Sequence, residues 1–485
     1  MKKIFIALIA LGALALSSCS DMLEEHPKTL SEKTFYNSST EAYAAILGIT
    51  KSFSGHMSWK GYNVFFQECL SDMAFGRASW ATFSDYAKLT TRGQEYTSNV
   101  WQGLYNTIRD ANYAIRQFPV ATNMTDAEKQ SYLAQAKFLR AYAYFGLVRY
   151  WGAVPLRTED NIGVNDVPRS SEDEIYKLIL SDLDYAVQYT PVSNTRGLPN
   201  CDAANFLLAS VYMQLKQYDK ALPLLETIVK SGKYSLVSVS QANDFDNVFG
   251  PYAKQTTEEV YYLKSEQSQN AGWGVPVYYS HPNAMVNGKR LVNSYGYYAM
   301  YASDKSLMIK NWDKRDLRRQ YDLLHYNFGL GSDTYLISKF RDGDTTADPG
   351  NDDPLIRYTD VLLLYAEDLA RVNNGPTEEA MECVNQIRRR AYGRNPKNKS
   401  TKDYKLSDYS TLDDFLKLVV KEQGYETFGE GKRWLYLKRL GIVKEQIKEM
   451  KGIDIDSTCL LFPIHENEYN VNHAIDPAKD QNPGY

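Results

Sequence analysis

Apolar residues recur with a helical period over much of the chain. Trp101, Leu104, Tyr105, Ile108, Ala111 and Ile115 stand at i, i+3, i+4, i+7, i+10 and i+14, one face of a helix from Tyr96 to Phe118. The pattern predicts further helices from Ser39 to about Phe53, from Gln135 to Tyr150 and from Ser170 to Tyr189. The last opens on Ser170 or Ser171 ahead of Asp173 and Glu174, a capping signature that satisfies first-turn N–H groups. Ala204, Leu207, Leu208, Val211, Tyr212 and Leu215 form a stripe, and Gln217-Tyr218-Asp219-Lys220-Ala221 opens a second helix to about Ser231. Such a helical hairpin is similar in length and residue types to a tetratricopeptide unit. Leu362, Tyr365, Ala366, Leu369 and Ala370 repeat the stripe, followed across Asn374-Gly375-Pro376 by a helix from Thr377 to Tyr392.

Between the helical stretches the pattern breaks. Residues 55–95 and 240–350 are rich in Gly, Asn, Asp and aromatics, with short extended candidates at Glu259 to Lys264 and Tyr335 to Phe340. The expected fold class is therefore mostly α: an irregular tetratricopeptide-like solenoid of helical hairpins with loop-rich inserts and a few short strands. Binding residues are expected in the inserts, because loops on a rigid scaffold carry function.

The N-terminus reads as an address. Lys2 and Lys3 precede an apolar run from Ile4 to Leu16, then Ser17-Ser18-Cys19, so residues 1–18 are an export signal. The run is too short to span a bilayer, and no later stretch reaches 18 uncharged apolar residues. Cys after the small pair resembles a bacterial lipobox, implying a mature chain lipidated at Cys19 and a polar tether over residues 19–37. The other four cysteines, Cys69, Cys201, Cys383 and Cys459, lie far apart with no C-x-x-C pair, and read as small buried hydrophobes.

Composition narrows the function classes. The 485 residues are 44% hydrophobic and 24% charged, enough for a large core. With 55 Lys plus Arg against 59 Asp plus Glu, the chain lacks the basic excess of a nucleic-acid binder. G-x-S-x-G and H-E-x-x-H are absent, the six histidines stand singly, and Gly424 to Gly429 is followed by Glu430 where a phosphate loop needs Lys. Asp342, Asp344, Asp348, Asp352 and Asp353 lack the ladder and closing Glu of a calcium loop and read as a solvated loop. No metal or cofactor is expected.

Tyrosine is abundant, at 38 residues against 18 Phe and 7 Trp. Trp59, Trp80, Phe83 and Tyr86 lie in the first insert; Trp273, Tyr278, Tyr279, Tyr295, Tyr297 and Tyr298 lie in the second. Sugar C–H faces stack on aromatic planes and hydroxyls seek hydrogen bonds, so such side chains near Asp, Asn and Arg suit a glycan.

Several motifs together resemble the SusD/RagB family of Bacteroidota outer-membrane lipoproteins. They are Trp101-Gln102-Gly103-Leu104-Tyr105; Phe138-Leu139-Arg140-Ala141 with Tyr150-Trp151-Gly152-Ala153-Val154-Pro155; Pro354-Leu355-Ile356-Arg357-Tyr358; Val384-Asn385-Gln386-Ile387-Arg388; Glu430-Gly431-Lys432-Arg433-Trp434; and the terminal Asn482-Pro483-Gly484-Tyr485. Gln423, Thr427 and Tyr436 depart from the family pattern at positions of packing or ion pairing. The resemblance implies one SusD-like domain over residues 38–485. Its helices would fall mainly at 38–54, 96–235 and 354–392, its ligand-binding inserts at 55–95 and 240–350, and its C-terminal region at 393–485. Arg140, Arg357, Glu367 and Arg433 would hold helices together.

The resemblance further implies a non-catalytic, surface-facing outer-membrane lipoprotein. It would capture a glycan and deliver it to a SusC-like TonB-dependent transporter, its partner. By location, Asp72, Arg77, Trp80, Trp273, Tyr278 and Tyr279 are the expected ligand-binding residues, the aromatics stacking and Asp72 and Arg77 taking hydroxyls. A surface glycan hydrolase and a transporter-stabilising scaffold without a ligand are the alternatives.

Overall fold

The computed structural model describes residues 35–193, 197–266, 272–293, 295–344 and 348–485, so the export signal, Cys19 and most of the tether lie outside the described residues. The chain enters through α1 (Ser39–Phe53), the short α2 (Val64–Leu70) and β1 (Ala74–Gly76), then α3 (Thr91–Gln117) and α4 (Asp126–Trp151). A small ladder of β2 (Val154–Pro155) and β3 (Arg169–Ser170) leads to α5 (Glu172–Tyr189), α6 (Cys201–Gln214) and α7 (Tyr218–Lys230). The long insert holds β4 (Glu259–Leu263), α8 (Val275–Tyr279), the hairpin β5 (Met285–Val286) and β6 (Lys289–Arg290), β7 (Met300–Ser303), β8 (Leu323–His325) and β9 (Thr334–Ile337). Then β10 (Asp353–Arg357) leads into α9 (Tyr358–Val372), α10 (Glu378–Ala391), α11 (Leu412–Thr427), α12 (Arg433–Leu440) and α13 (Val443–Lys451).

Helices follow one another in space as in sequence: α3 packs on α4, α4 on α5, α5 on α6 and α6 on α7. The row continues from α7 directly onto α9 and then α10, passing over the whole insert. This is possible because β4 and β10 pair antiparallel, so the insert leaves and returns through one two-stranded stem. The fold is the mostly α arrangement of hairpins and inserts that the helical stripes imply, with small sheets confined to the inserts and connections.

Local chemistry sets the helix ends. Ser38 with Glu41, Thr125 with Glu128 and Ser171 with Glu174 form capping boxes at α1, α4 and α5. Helix α4 stops at Gly152, whose φ of 70° a side-chain-bearing residue adopts only with strain. Helices α3 and α4 begin earlier than the apolar stripes, at Thr91 and Asp126, because their first turns carry polar residues that hold the helix by capping instead of burial. At the other end of the tether, Phe35 and Tyr36 already pack on the core, Tyr36 edge-on to Phe118 at 5.9 Å.

Buried ion pairs bind these layers. Arg140 grips Asp182 through Nε and Nη2 at 2.7 and 2.9 Å and reaches Asn112, tying α3, α4 and α5. Arg439 closes a two-pronged pair on Glu367 at 2.8 and 2.6 Å, joining α12 to α9. Arg357, at the start of α9, donates to both oxygens of Glu430 and to Glu426, while Arg390 and Arg318 also reach Glu426. Burial alone would raise Glu426, but the surrounding guanidiniums of Arg390, Arg357 and Arg318 hold it far below the usual carboxylate range.

The acidic loop is corrected here. Asp342, Asp352 and Asp353 are buried: Asp342 accepts from the Gly350 N–H at 2.8 Å, and Asp352 bonds Lys254 and the Ser265 N–H. Their density of charge reads as solvated in the sequence, yet they pin the base of the insert, where lysines from distant segments meet them. The four described cysteines are unpaired, Cys69 and Cys383 buried and Cys201 and Cys459 partly so.

Candidate functional site

The two inserts meet along one ladder. Strand β1 of the first pairs antiparallel with β7 of the second, Ala74 opposite Ala302 and Gly76 opposite Met300. The ladder extends outward: Arg77 N–H donates to Ala299 O, Ala299 N–H to Tyr278 O and Tyr297 N–H to Val277 O, at 2.8, 2.8 and 2.9 Å. Gly76 is required at its place, since a Cβ there would lie 2.2 Å from the Trp80 carbonyl oxygen. Ala78, at φ 54°, and Tyr298, at φ 38°, flank Arg77 in the left-handed region, a costly conformation for a bulky residue.

Along this junction the aromatic side chains run from core to water. Trp80 stacks on Tyr96 with centroids 4.1 Å apart and planes 7° from parallel, and stands edge-on to Phe65 at 5.1 Å. Phe65 meets Tyr278 at 4.3 Å, Tyr278 meets Tyr297 at 4.8 Å, and Tyr297 meets Tyr295 at 5.3 Å. Trp80 is 4% exposed, Tyr278 half-buried, and Tyr295 and Tyr297 are 50% and 49% exposed. The outer three phenols therefore form a platform backed by a packed aromatic wall.

Polar groups rim it. The Arg77 guanidinium lies 4.0 Å from the Tyr298 ring centroid, Tyr295 Oη donates weakly to Asp348 at 3.4 Å, and Ser79 Oγ is 2.9 Å from Tyr96 Oη. His56 is exposed beside Tyr278, at 6.0 Å between rings. Burial first, and then the neighbouring phenols of Tyr62 and Tyr297, push Tyr278 up to about 12, so it stays a neutral donor and acceptor near pH 7. Planar faces beside neutral hydroxyls, an arginine and a carboxylate can stack a pyranose and hydrogen-bond its hydroxyls.

The six expected ligand residues separate into two groups. Arg77 and Tyr278 lie at the platform. Asp72, Trp80, Trp273 and Tyr279 are buried and spent on structure. Asp72 receives Arg433 Nε and Nη2 at 2.8 and 2.7 Å and also Gln446; burial would raise its pKa, but Arg433 holds it below the usual range. Trp273 donates Nε1–H to the Lys60 carbonyl and stands edge-on to Phe340 at 4.6 Å, and Tyr279 Oη donates to Gly429 O at 3.2 Å. Asp72 thus serves as the anchor of α12, and the two tryptophans as the wall and floor under the inserts. Tyr295 and Tyr297 take the outer role; their alternation about Gly296, with no partner in a helical stripe, is the signal that marks them. His56 and Asp348 carry no such signal. Among the described residues no group of three or more His, Cys, Asp or Glu could hold a metal ion, and no helix is long and apolar enough to cross a membrane.

A row of helical hairpins carrying joined inserts, with an aromatic platform at their junction, defines a class of mostly helical scaffold. Comparison with known proteins gives the family. A family model described as starch-binding and associating with the outer membrane matches residues 21–213, and one described as the SusD family matches residues 237–485. The chain belongs to the SusD family. It is 28% identical to SusD-like protein P38 of Formosa agariphila, over 99% of this chain and 98% of that one. Its fold matches a laminarin-binding SusD-like protein with a TM-score of 0.75 at 21% identity, covering 93% of this chain and 100% of that chain. It also matches surface glycan-binding protein A from Bacteroides fluxus with a TM-score of 0.73 at 21% identity, covering 93% and 100%.

Proposed function

We propose that this protein is a non-catalytic glycan receptor of the bacterial surface. Anchored to the outer membrane by lipid on Cys19, it captures an oligosaccharide or polysaccharide and delivers it to a SusC-like TonB-dependent transporter. The observation that carries the reading is the platform of Tyr278, Tyr295 and Tyr297, half in water, backed by the Trp80–Tyr96 stack and bordered by Arg77 and Asp348. Family membership and the laminarin- and glycan-binding fold relatives support it. Stacking suits a receptor that must release its cargo, since each aromatic contact adds about 0.5–1.5 kcal/mol beyond the area it buries.

Calorimetric titration with a panel of plant and host glycans tests the site. One glycan class is expected to bind, and Tyr278→Ala combined with Tyr297→Ala is expected to weaken it at least about tenfold, or about 1.4 kcal/mol. Unchanged affinity in the double variant would remove the platform from the site. Co-purification of the transporter with the lipidated protein, lost on Cys19→Ala, tests the anchoring and delivery parts.

A further inference from the structure

The segment leading into β7 serves two groups of rings. Tyr297 N–H donates to Val277 O and Tyr298 N–H to Ser280 O, both at 2.9 Å, which holds the segment against α8 and the residues just after it. The Tyr297 ring meets Tyr278 at 4.8 Å on the platform, whereas the Tyr298 ring meets His281 at 4.6 Å. Arg77 links the two groups. Its Nη1 reaches the Tyr297 carbonyl oxygen at 3.5 Å, and its guanidinium carbon stands 4.0 Å from the Tyr298 ring centroid. Beyond Tyr298 the aromatic surface continues: His281 meets Tyr326 at 4.8 Å, and Tyr298 stands edge-on to Phe328 at 5.9 Å. Tyr298, Tyr326 and Phe328 pack on a small buried cluster of Ala284, Leu291 and Leu336 while remaining partly exposed. The second group is thus built as the first is, with half-wet rings on a packed base.

The hydrogen bonds of His281 settle where its proton sits. The backbone nitrogen of Asn283 lies 3.1 Å from Nδ1, and a backbone N–H can only donate, so Nδ1 is an acceptor. Tyr326 Oη, at 3.0 Å, then donates to the same atom. A neutral imidazole whose Nδ1 accepts carries its proton on Nε2. Burial and then the charge of Arg77 hold the His281 pKa below its ordinary value, which favours this neutral form near pH 7. The Nε2–H has no hydrogen-bond partner among the described residues, and His281 is partly open to water. A free, directed N–H and the Arg77 guanidinium therefore stand on one tyrosine ring, at 4.6 and 4.0 Å from its centroid. Sugar hydroxyl and ring oxygens accept from such donors while sugar C–H faces lie against aromatic planes.

We propose that Arg77, His281, Tyr298 and Tyr326 form a second sugar subsite beside the tyrosine platform, with the His281 Nε2–H as a specificity-determining donor, so that the protein reads an oligosaccharide across at least two sugar units. The proposal rests on the glycan-binding reading above and deepens it: the ligand class becomes a glycan chain, not a free monosaccharide. Arg77 is shared, so a chain lying on Tyr278 and Tyr297 passes directly to Tyr298 and His281.

The test titrates the purified protein with laminari-, cello-, malto- and chito-oligosaccharides, each as dimer and hexamer. In a series that binds, the hexamer is expected to bind at least about tenfold more tightly than the dimer, because it fills both subsites. His281→Ala is expected to weaken the hexamer about fivefold or more, with dimer affinity within about twofold and unfolding unchanged. His281→Gln, which keeps a side-chain N–H donor, should recover hexamer affinity to within about threefold of wild type. Tyr278→Ala/Tyr297→Ala should weaken dimer and hexamer alike. The second subsite is overturned if dimer and hexamer bind the wild type equally, or if His281→Ala binds the hexamer unchanged. Binding that depends on Tyr278 and Tyr297 would then leave the receptor reading standing, whereas no binding of any probe would remove both.

Discussion

The buried charge cluster under the insert and the tyrosine platform above it use polar groups in opposite ways. At the junction of β10, α9 and α11, Arg357, Arg390, Arg318, Glu258, Glu426 and Glu430 are almost fully removed from water and bonded to one another. On the platform, Tyr278, Tyr295 and Tyr297 keep their hydroxyls in or near water and touch mostly each other. In the first region each side chain is held by several partners and none is free for a ligand. In the second, ring faces are presented by a rigid wall and their polar tips remain available. The same contrast runs among the aromatics of the inserts: Trp273 is buried with its indole N–H on the Lys60 carbonyl and Tyr279 with its hydroxyl on Gly429, whereas Tyr295 and Tyr297 present half-wet phenols.

The sharpest way to break the comparison is to remove a buried cation. Arg357→Met strands Glu426 and Glu430 without their shared guanidinium and is expected to cost about 3–5 kcal/mol in denaturant unfolding. A loss under about 1 kcal/mol would mean the cluster tolerates vacancies. Trp273→Ala leaves a cavity beside Phe340 and is expected to cost about 3–4 kcal/mol of stability. Glycan affinity of the folded fraction should fall far less than in the tyrosine double variant; a selective loss of affinity at unchanged stability would return Trp273 to the site.

Acid–base behaviour sharpens the contrast from another side. Burial pushes Asp322 up to about 7, its attraction to Lys339 only partly offsetting this, so its folded pKa lies above its unfolded value. The folded state then binds more protons between about pH 4 and 7, and stability falls as pH rises through that window. Asp322→Asn is expected to raise stability at pH 8 relative to wild type by more than about 1 kcal/mol, and to raise it less at pH 5. Equal effects at both pH values would show that Asp322 is ionised throughout. Glu426 and Glu430, with depressed folded pKa values, act oppositely: their contribution is full above about pH 4.5 and declines as pH falls below it. The smallest expected effect is on the platform: Tyr295→Phe removes one long hydrogen bond to Asp348 and should change glycan affinity less than about threefold, with unfolding unchanged.

The helical part of the fold is legible in the sequence because a buried helix face repeats every three to four residues and its ends carry capping chemistry. Ser171 and Glu174 mark the start of α5, and the stripe from Ala204 to Leu215 lies within a helix that folds back onto its neighbour. The helix-binding arginines were legible through the motifs that contain them. The site was less so. Trp80 and Tyr278 share residue class and insert character, yet one is wall and the other surface, because β1 pairs with β7 across more than 200 residues and turns their backbones to different depths. Asp72 looks like a hydroxyl partner until α12 brings Arg433 onto it.

What the sequence by itself determined is the class of scaffold: helical hairpins, irregular inserts, a surplus of tyrosine and the family motifs. These follow from local periodicity and composition, which depend on neighbours along the chain. Only the tertiary structure decided which aromatics meet water and which acids are paired. Exposure and pairing are settled by segments distant in sequence, and a one-dimensional pattern does not carry the contacts that the β1–β7 ladder, the β4–β10 stem and the α12 arginine create.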